Sequence, residues 1–233
     1  MSNILERLLN QLEKRQENGS LRTLKRLKGL VDFSSNDYLG LAIDRQLAQI
    51  IWSRQRHMEL HNGSGGSRLL TGNSQLTEEL EQFLAAHFKG ERALIFNSGY
   101  SANLALLAAI PQRRDTIIYD SSIHACIKEG SRLSNAKYHA FRHNDVTDLE
   151  NKLRSVEGTA IVVIESVYSM DGDWAELEDI VEACDRYQAD LIIDEAHTTG
   201  WCGPQGEGWV CAENLQDRFL ARVYTFGKAL GHH

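Results

Sequence analysis

Hydrophobic residues recur along this chain with two different spacings. Near the start, Ile4, Leu5, Leu8, Leu9 and Leu12 fall on one face of a helix with charges between them, and Gly19 stands just past the end. That pattern predicts an amphipathic helix over residues 2–17. A short apolar run at 30–33 predicts a strand, residues 46–60 a second helix, and Ser74 caps a third that runs to about 88. Beyond residue 90 the alternation becomes regular. Strands are predicted at 93–96, 116–119, 137–141, 160–165, 190–194 and 222–226, with helices at 99–109, 123–133, 146–155 and 177–188 between them. Continuous apolar runs separated by helix-length segments predict an α/β fold whose central sheet is mainly parallel, with helices on both faces.

In such sheets ligands bind beyond the carboxyl ends of the strands. The polar residues there are Asn97-Ser98-Gly99-Tyr100, then Asp120 to His124, Ser166 to Asp173, Asp194-Glu195-Ala196-His197 and Thr225-Phe226-Gly227-Lys228. Five consecutive strand ends thus carry chemistry at one edge of the sheet.

Composition narrows the classes. With 233 residues, 42% hydrophobic and 24% charged, the chain can bury one large core. A net charge of −7, with basic residues concentrated only at 22–28, argues against nucleic acid as a partner. No apolar stretch approaches the roughly 20 residues of a membrane helix, and residues 1–6 lack signal-peptide features, so the expected location is cytoplasmic, away from any membrane. Cys126, Cys184, Cys202 and Cys211 form no C-x-x-C pair and read as reduced thiols. His57 and His61 stand four apart but not in the H-E-x-x-H order, and no metal site is expected.

Asp194-Glu195-Ala196-His197 spells the DEAH box of nucleic-acid-dependent ATPases, which also require a G-x-x-x-x-G-K-[ST] phosphate loop. That loop is absent: the Gly227-Lys228 pair has Arg222 and Ala229 at the other required positions and follows the box instead of preceding it. A carboxylate directly after Leu191-Ile192-Ile193 sits partly buried and needs a partner, which a cationic ring nitrogen supplies. Pyridoxal 5'-phosphate requires a lysine for attachment, an acid facing its pyridine nitrogen, and a helix N-terminus for its phosphate. Lys228, Asp194 and the turn Ser98-Gly99-Tyr100 offer one of each, while His124 is placed to stack on the ring and His197 to meet its oxygen.

Several stretches resemble the α-oxoamine synthases, which are fold-type-I pyridoxal-phosphate transferases. They are Asp32-Phe33-Ser34-Ser35-Asn36-Asp37-Tyr38-Leu39-Gly40-Leu41, Gly63-Ser64-Gly65-Gly66-Ser67-Arg68, Asn97-Ser98-Gly99-Tyr100-Ser101-Ala102-Asn103, His143-Asn144-Asp145-Val146-Thr147, Ser169-Met170-Asp171-Gly172-Asp173, Asp194-Glu195-Ala196-His197 and Thr225-Phe226-Gly227-Lys228. They occur in the family's order from near residue 20 to the end.

The resemblance implies an N-terminal helix and arm over residues 1–40 and a large cofactor-binding domain over 41–233, without the rest of that domain and without the family's C-terminal small domain. A chain so cut is expected to be inactive alone. The resemblance makes Lys228, His124 and Asp194 catalytic. It gives Ser98, Gly99, Tyr100 and Thr225 to the phosphate, Ser169 and His197 to the ring hydroxyl, and Arg22 and Asn36 to substrate. It also implies a homodimer that condenses an amino acid, expected to be L-alanine, with an acyl-CoA or acyl-carrier-protein thioester, expected to be pimeloyl, releasing CO₂. Relatives acting on glycine or serine, and a non-catalytic partner subunit, remain alternatives. Lys128-Glu129 and Trp201-Cys202 depart from the family pattern beside the expected substrate channel.

Overall fold

A computed structural model describes residues 3–24, 29–58 and 63–232. Much of the basic run, at 25–28, lies outside the described residues, as do His61, Asn62 and His233. The chain divides into two compact units, Met1–Ser35 and Asn36–His233.

In the first unit, helix α1 spans Asn3–Glu17, with Glu6 in its first turn and Lys14 and Arg15 in its last, each suited to the helix dipole. It ends where Gly19 takes φ 64°, letting the amides of Ser20 and Leu21 return to the Arg15 carbonyl. The face carrying Ile4, Leu5, Leu8, Leu9 and Leu12 is exposed. The strand predicted at 30–33 does not form. Asp32 instead accepts from the amides of Ser34 (2.8 Å) and Ser35 (3.1 Å), a side-chain turn that competes with extended pairing.

The second unit is built on a five-stranded sheet: β1 Thr116–Asp120, β2 Lys137–Phe141, β3 Ala160–Glu165, β4 Asp190–Asp194 and β5 Ala221–Val223. The order is β2-β1-β3-β4-β5 and every pairing is parallel. Seven α-helices accompany it among the described residues: α2 Arg45–Gln55, α3 Gln75–His87, α4 Gly99–Ala109, α5 Ala125–Leu133, α6 Val146–Leu153, α7 Leu177–Tyr187 and the short α8 Trp209–Ala212.

Side chains alternate across the pleat, so the central strands are apolar on both sides. Ile118, Val162, Ile164, Leu191 and Ile193 pack with Leu149 and Leu153 of α6 and Ile180 and Val181 of α7. Ile117, Ile161, Val163 and Ile192 pack with Leu107 of α4 and Ile127 of α5. Helices therefore cover both faces. Gly130 allows α4 and α5 to approach closely, since a Cβ there would lie 3.1 Å from the Leu104 Cα. Each fully buried aliphatic side chain of this kind stabilises the fold by roughly 1.5–3 kcal/mol.

Several elements differ from the sequence reading, among them the second helix, which ends at Gln55 with Arg56 as its cap and not near residue 60. Residues 93–96 form no strand: Leu94 is 65% exposed, and the Ile95 amide donates to the Glu81 carboxylate (2.8 Å) instead of to a neighbouring strand. The sheet stops at β5, which is limited to three residues because the chain then turns toward Lys228. Helix α5 starts at Ala125, two residues late, because the Ile123 amide is used in a turn to the Asp120 carbonyl and His124 serves as the cap. Among the described residues no helix is long and apolar enough to cross a membrane. All four cysteines are free.

Candidate active site

β1, β3 and β4 end in acids, Asp120, Glu165 and Asp194, all buried, and the segment leaving β5 ends at Lys228. A cleft of about 1460 Å³ opens over the ends of β3 and β4. Lys228, Asp194 and His124, expected to act together, all line it. So do Asn36, Ser98, Gly99, Tyr100, His197 and Thr225. Ser169 does not: it is exposed on the turn between Tyr168 and Gly172, and no side-chain bond holds it toward the cleft. Arg22 belongs to the Met1–Ser35 unit, where it is exposed and outside regular structure.

Asp194 is fixed at both oxygens. Oδ1 accepts the Ala196 amide at 2.8 Å and Oδ2 accepts Asn103 Nδ2 at 2.6 Å. Asn103, 2% exposed, comes from the second turn of α4, so the helix that opens at Gly99 also aims Asp194. The neighbouring Glu195 has a different task. It is fully buried and accepts the amides of Trp209 (2.6 Å) and Val210 (3.0 Å), satisfying the start of α8. The DEAH spelling therefore splits into one site acid and one structural acid.

Glu165 stands beside Asp194 in register across β3 and β4. Burial and the Asp194 charge push its carboxyl up to about 8, while it accepts the backbone amide of His124 and so fixes where that residue leaves the sheet. His124 Nδ1 accepts the Cys126 amide (3.2 Å) and lies 2.9 Å from the Cys126 sulfur; its ring is edge-on to Tyr100 at 6.3 Å. Burial pushes the Cys126 thiol up to about 12, which keeps it protonated.

Lys228 Nζ lies 2.8 Å from His197 Nε2. Burial lowers the lysine's pKa, and the charges of Asp194 and Glu165 partly restore it. His197 is pushed down to about 4, chiefly by burial and then by the Lys228 charge. Its carbonyl accepts the Trp201 indole N–H at 2.7 Å. One of the two departures from the family pattern thus supports the site directly. The other does as well, because the Glu129 carboxylate accepts the Tyr100 hydroxyl and Lys128 Nζ donates to the Ser121 carbonyl at 2.8 Å.

At the start of α4, Ser98 Oγ accepts the Ser101 amide at 3.1 Å, leaving the earlier amides of the turn directed outward. A Cβ on Gly99 would lie 2.4 Å from Thr225 Cγ2, so this cradle admits no side chain at that position. A helix N-terminus with a glycine and a facing hydroxyl residue suits a phosphate dianion.

At the carboxyl end of β1, His143 is hydrogen-bonded at both nitrogens, to Asp120 (2.8 Å) and Asp173 (2.7 Å). The two neighbouring carboxylates raise its pKa against the effect of burial. This bridge ties the turn that carries Ser169 to the sheet.

The parallel sheet, the lysine after its last strand and the acid at the end of β4 define the large domain of a fold-type-I pyridoxal-phosphate transferase. Residues 28–233 match the family described as aminotransferase class I and II, and the chain belongs to it. It is 44% identical over 220 residues to 8-amino-7-oxononanoate synthase of Emericella nidulans, covering 87% of this chain and 53% of that one. To the enzyme of the same name from Lysinibacillus sphaericus it is 42% identical over 201 residues, covering 85% and 51%. A serine palmitoyltransferase from S. paucimobilis, solved with PLP and myriocin, superposes with a TM-score of 0.85 at 28% identity, over 99% of this chain and 64% of that one. An 8-amino-7-oxononanoate synthase from Francisella tularensis gives 0.72 at 28% identity, over 88% and 56%. The chain spans about half the length of the curated relatives it matches.

Pyridoxal phosphate is the cofactor of this family, and the cleft fits it: a helix N-terminus whose turn is closed to any Cβ at Gly99, a buried carboxylate held at both oxygens, and a lysine amine in the same cleft. Four contributors were not assigned from sequence. Asn103 and Tyr38, whose hydroxyl lies 2.6 Å from His197 Nδ1, lie within quoted motifs, Glu165 ends an apolar strand just as Asp194 does, and Cys126 follows His124 by two residues.

Proposed function

We propose that this chain carries large-domain residues of an α-oxoamine synthase that condenses an amino acid with an acyl thioester and releases CO₂. L-alanine and a pimeloyl thioester, as CoA or carrier-protein ester, are the favoured substrates, because the relatives that match at about 40% identity are named 8-amino-7-oxononanoate synthase. The observation that carries this reading is the meeting of Lys228, Asp194 and His124 in one cleft with the α4 N-terminus. A homodimer, with Asn36 at the substrate side, is part of the same proposal.

When bound, the cofactor supplies an electron sink for a carbanion at the substrate α-carbon. Lys228 is the residue that would carry it, Asp194 would hold a proton on its ring nitrogen, and the amides at Gly99 and Tyr100 with Thr225 would hold its phosphate. His197 would meet the ring hydroxyl. The amine of Lys228, half-buried and with a lowered pKa, is suited to take a proton from carbon and return it. His124, exposed over the cleft, would cover the ring and donate a hydrogen bond to an oxyanion. Arg22 and Ser169 enter this scheme by resemblance alone.

Absorbance after adding pyridoxal phosphate tests the first half. A new band at the edge of the visible range is expected, and no band, or the same band in Lys228→Ala, overturns the assignment. Product analysis with alanine, glycine and serine against a panel of acyl-CoAs tests the second half, and a preference for glycine or serine would remove the 8-amino-7-oxononanoate reading.

A further inference from the structure

The only side-chain donors of Asn103 are its Nδ2 hydrogens, and the Asp194 carboxylate takes one of them at 2.6 Å. The same side chain hydrogen-bonds the Cys126 sulfur in the sense that favours the thiolate, so there too Asn103 donates and the sulfur accepts. The Cys126 thiol is left to donate, and His124 Nδ1 stands 2.9 Å from it. The Cys126 amide, which can only donate, reaches that nitrogen at 3.2 Å and makes it the side-chain cap of α5. Two donors converging on Nδ1 require that it carry no proton, and in a neutral imidazole the proton then sits on Nε2. We propose that Cys126 is a positioning residue that holds His124 in the Nε2–H tautomer, so that the ring offers the cleft a hydrogen-bond donor.

The surroundings exclude the other arrangement open to a cysteine beside a histidine, a thiolate paired with an imidazolium. Cys126 is 2% exposed, and burial followed by the charge of Asp194 pushes its thiol up to about 12. His124 lines the cleft with Tyr100 edge-on at 6.3 Å, and among the described residues no group hydrogen-bonds its Nε2. An Nδ1–H ring would turn a lone pair to the cleft and repel a developing oxyanion, whereas Nε2–H meets it with a donor. The line Asp194, Asn103, Cys126, His124 thus joins the acid ending β4 to the histidine opening α5. Each link fixes the direction of the next.

The inference deepens the proposed role of His124 as a donor to a substrate oxygen and rests on that reading for the use of the proton. Its first tests need neither cofactor nor turnover. Nitrogen-15 NMR of histidine-labelled protein at about pH 9, where imidazoles are ordinarily neutral, reads the tautomer directly. The His124 signals, identified by their loss in His124→Gln, are expected to show Nε2–H, and an Nδ1–H pattern overturns the proposal. Cys126→Ala is expected to raise the ratio of Nδ1–H to Nε2–H about fivefold, while Cys126→Ser, which keeps a donor, holds it near the wild type. An unmoved ratio in Cys126→Ala overturns the role given to the thiol. The infrared difference between wild type and Cys126→Ser isolates the Cys126 S–H stretch. In a His124→Leu background that band is expected at higher frequency, and an unmoved band refutes the bond to His124.

A last test titrates the protein with pyridoxal phosphate and follows absorbance. Cys126→Ala is expected to weaken binding about fivefold and Cys126→Ser to stay within about twofold of the wild type. Equal weakening in both, or none in either, overturns the positioning role. Absence of binding in the wild type would strike the proposed function instead, and the NMR and infrared results would then decide alone for or against the locked tautomer.

Discussion

Asp194 and Glu165 sit side by side at the ends of β4 and β3 with different hydrogen-bond partners. Asp194 has two donors, whereas the bond of Glu165 to a backbone amide is outweighed by burial and by its acidic neighbour. Replacing Asn103 with Leu should leave one buried carboxylate oxygen unmatched, destabilising the protein by about 1–3 kcal/mol. Urea unfolding measures this loss, and a cofactor absorbance titration should show weaker binding in the same variant. For Glu165 the folded pKa, about 8, lies above its ordinary 4.5, so the folded state binds the extra proton. Its contribution is complete below about 4.5 and is lost as pH rises through about 8. Glu165→Gln should therefore gain on the wild type in stability as pH rises across that window, and a flat difference in paired urea titrations would refute it. Asp194 is legible in the sequence as an acid ending an apolar run. Asn103 is not, because its partner is brought to it only by the packing of α4 against the sheet.

Helix α4 is the element that does most for the proposed site, since its first turn is where the phosphate would lie and its second holds Asp194. Ser98→Ala removes the cap and should cost about 1 kcal/mol in thermal or urea unfolding. Gly99→Ala should do more harm to binding than to folding, because its methyl group must displace Thr225 from the cradle. A fall of about tenfold or more in affinity for pyridoxal phosphate, read by absorbance, is the expected result. The bounds of this helix match the sequence pattern, from a serine cap to the last alanine, because local signals govern them. The run at 93–96 shows the opposite case: four apolar residues suffice to suggest a strand, but a strand exists only with a paired neighbour, and here the Ile95 amide finds the Glu81 side chain. The relevant information lies in another segment, beyond the reach of a local pattern.

In the molecule as a whole, a double-sided core carries the site on its upper edge, so stability and chemistry are separable by position. Ile127→Ala, in the layer shared by α4 and α5, should lose about 2–5 kcal/mol in urea unfolding. Cofactor absorbance at saturation should stay close to that of the wild type where the variant is folded. The all-parallel sheet also has a consequence in time. Thr116 meets Ala160 and Ile161 meets Asp190, so no two strands can pair until a complete crossover helix has been laid between them. The order places β3, apolar on both faces, in the middle, where it waits for partners from both directions along the chain. Such a sheet is expected to close more slowly than a helical bundle of the same size, which stopped-flow refolding measures. Until those partners arrive, Ile161 to Ile164 is an exposed adhesive segment, the part of the chain most open to aggregation before any site exists to protect.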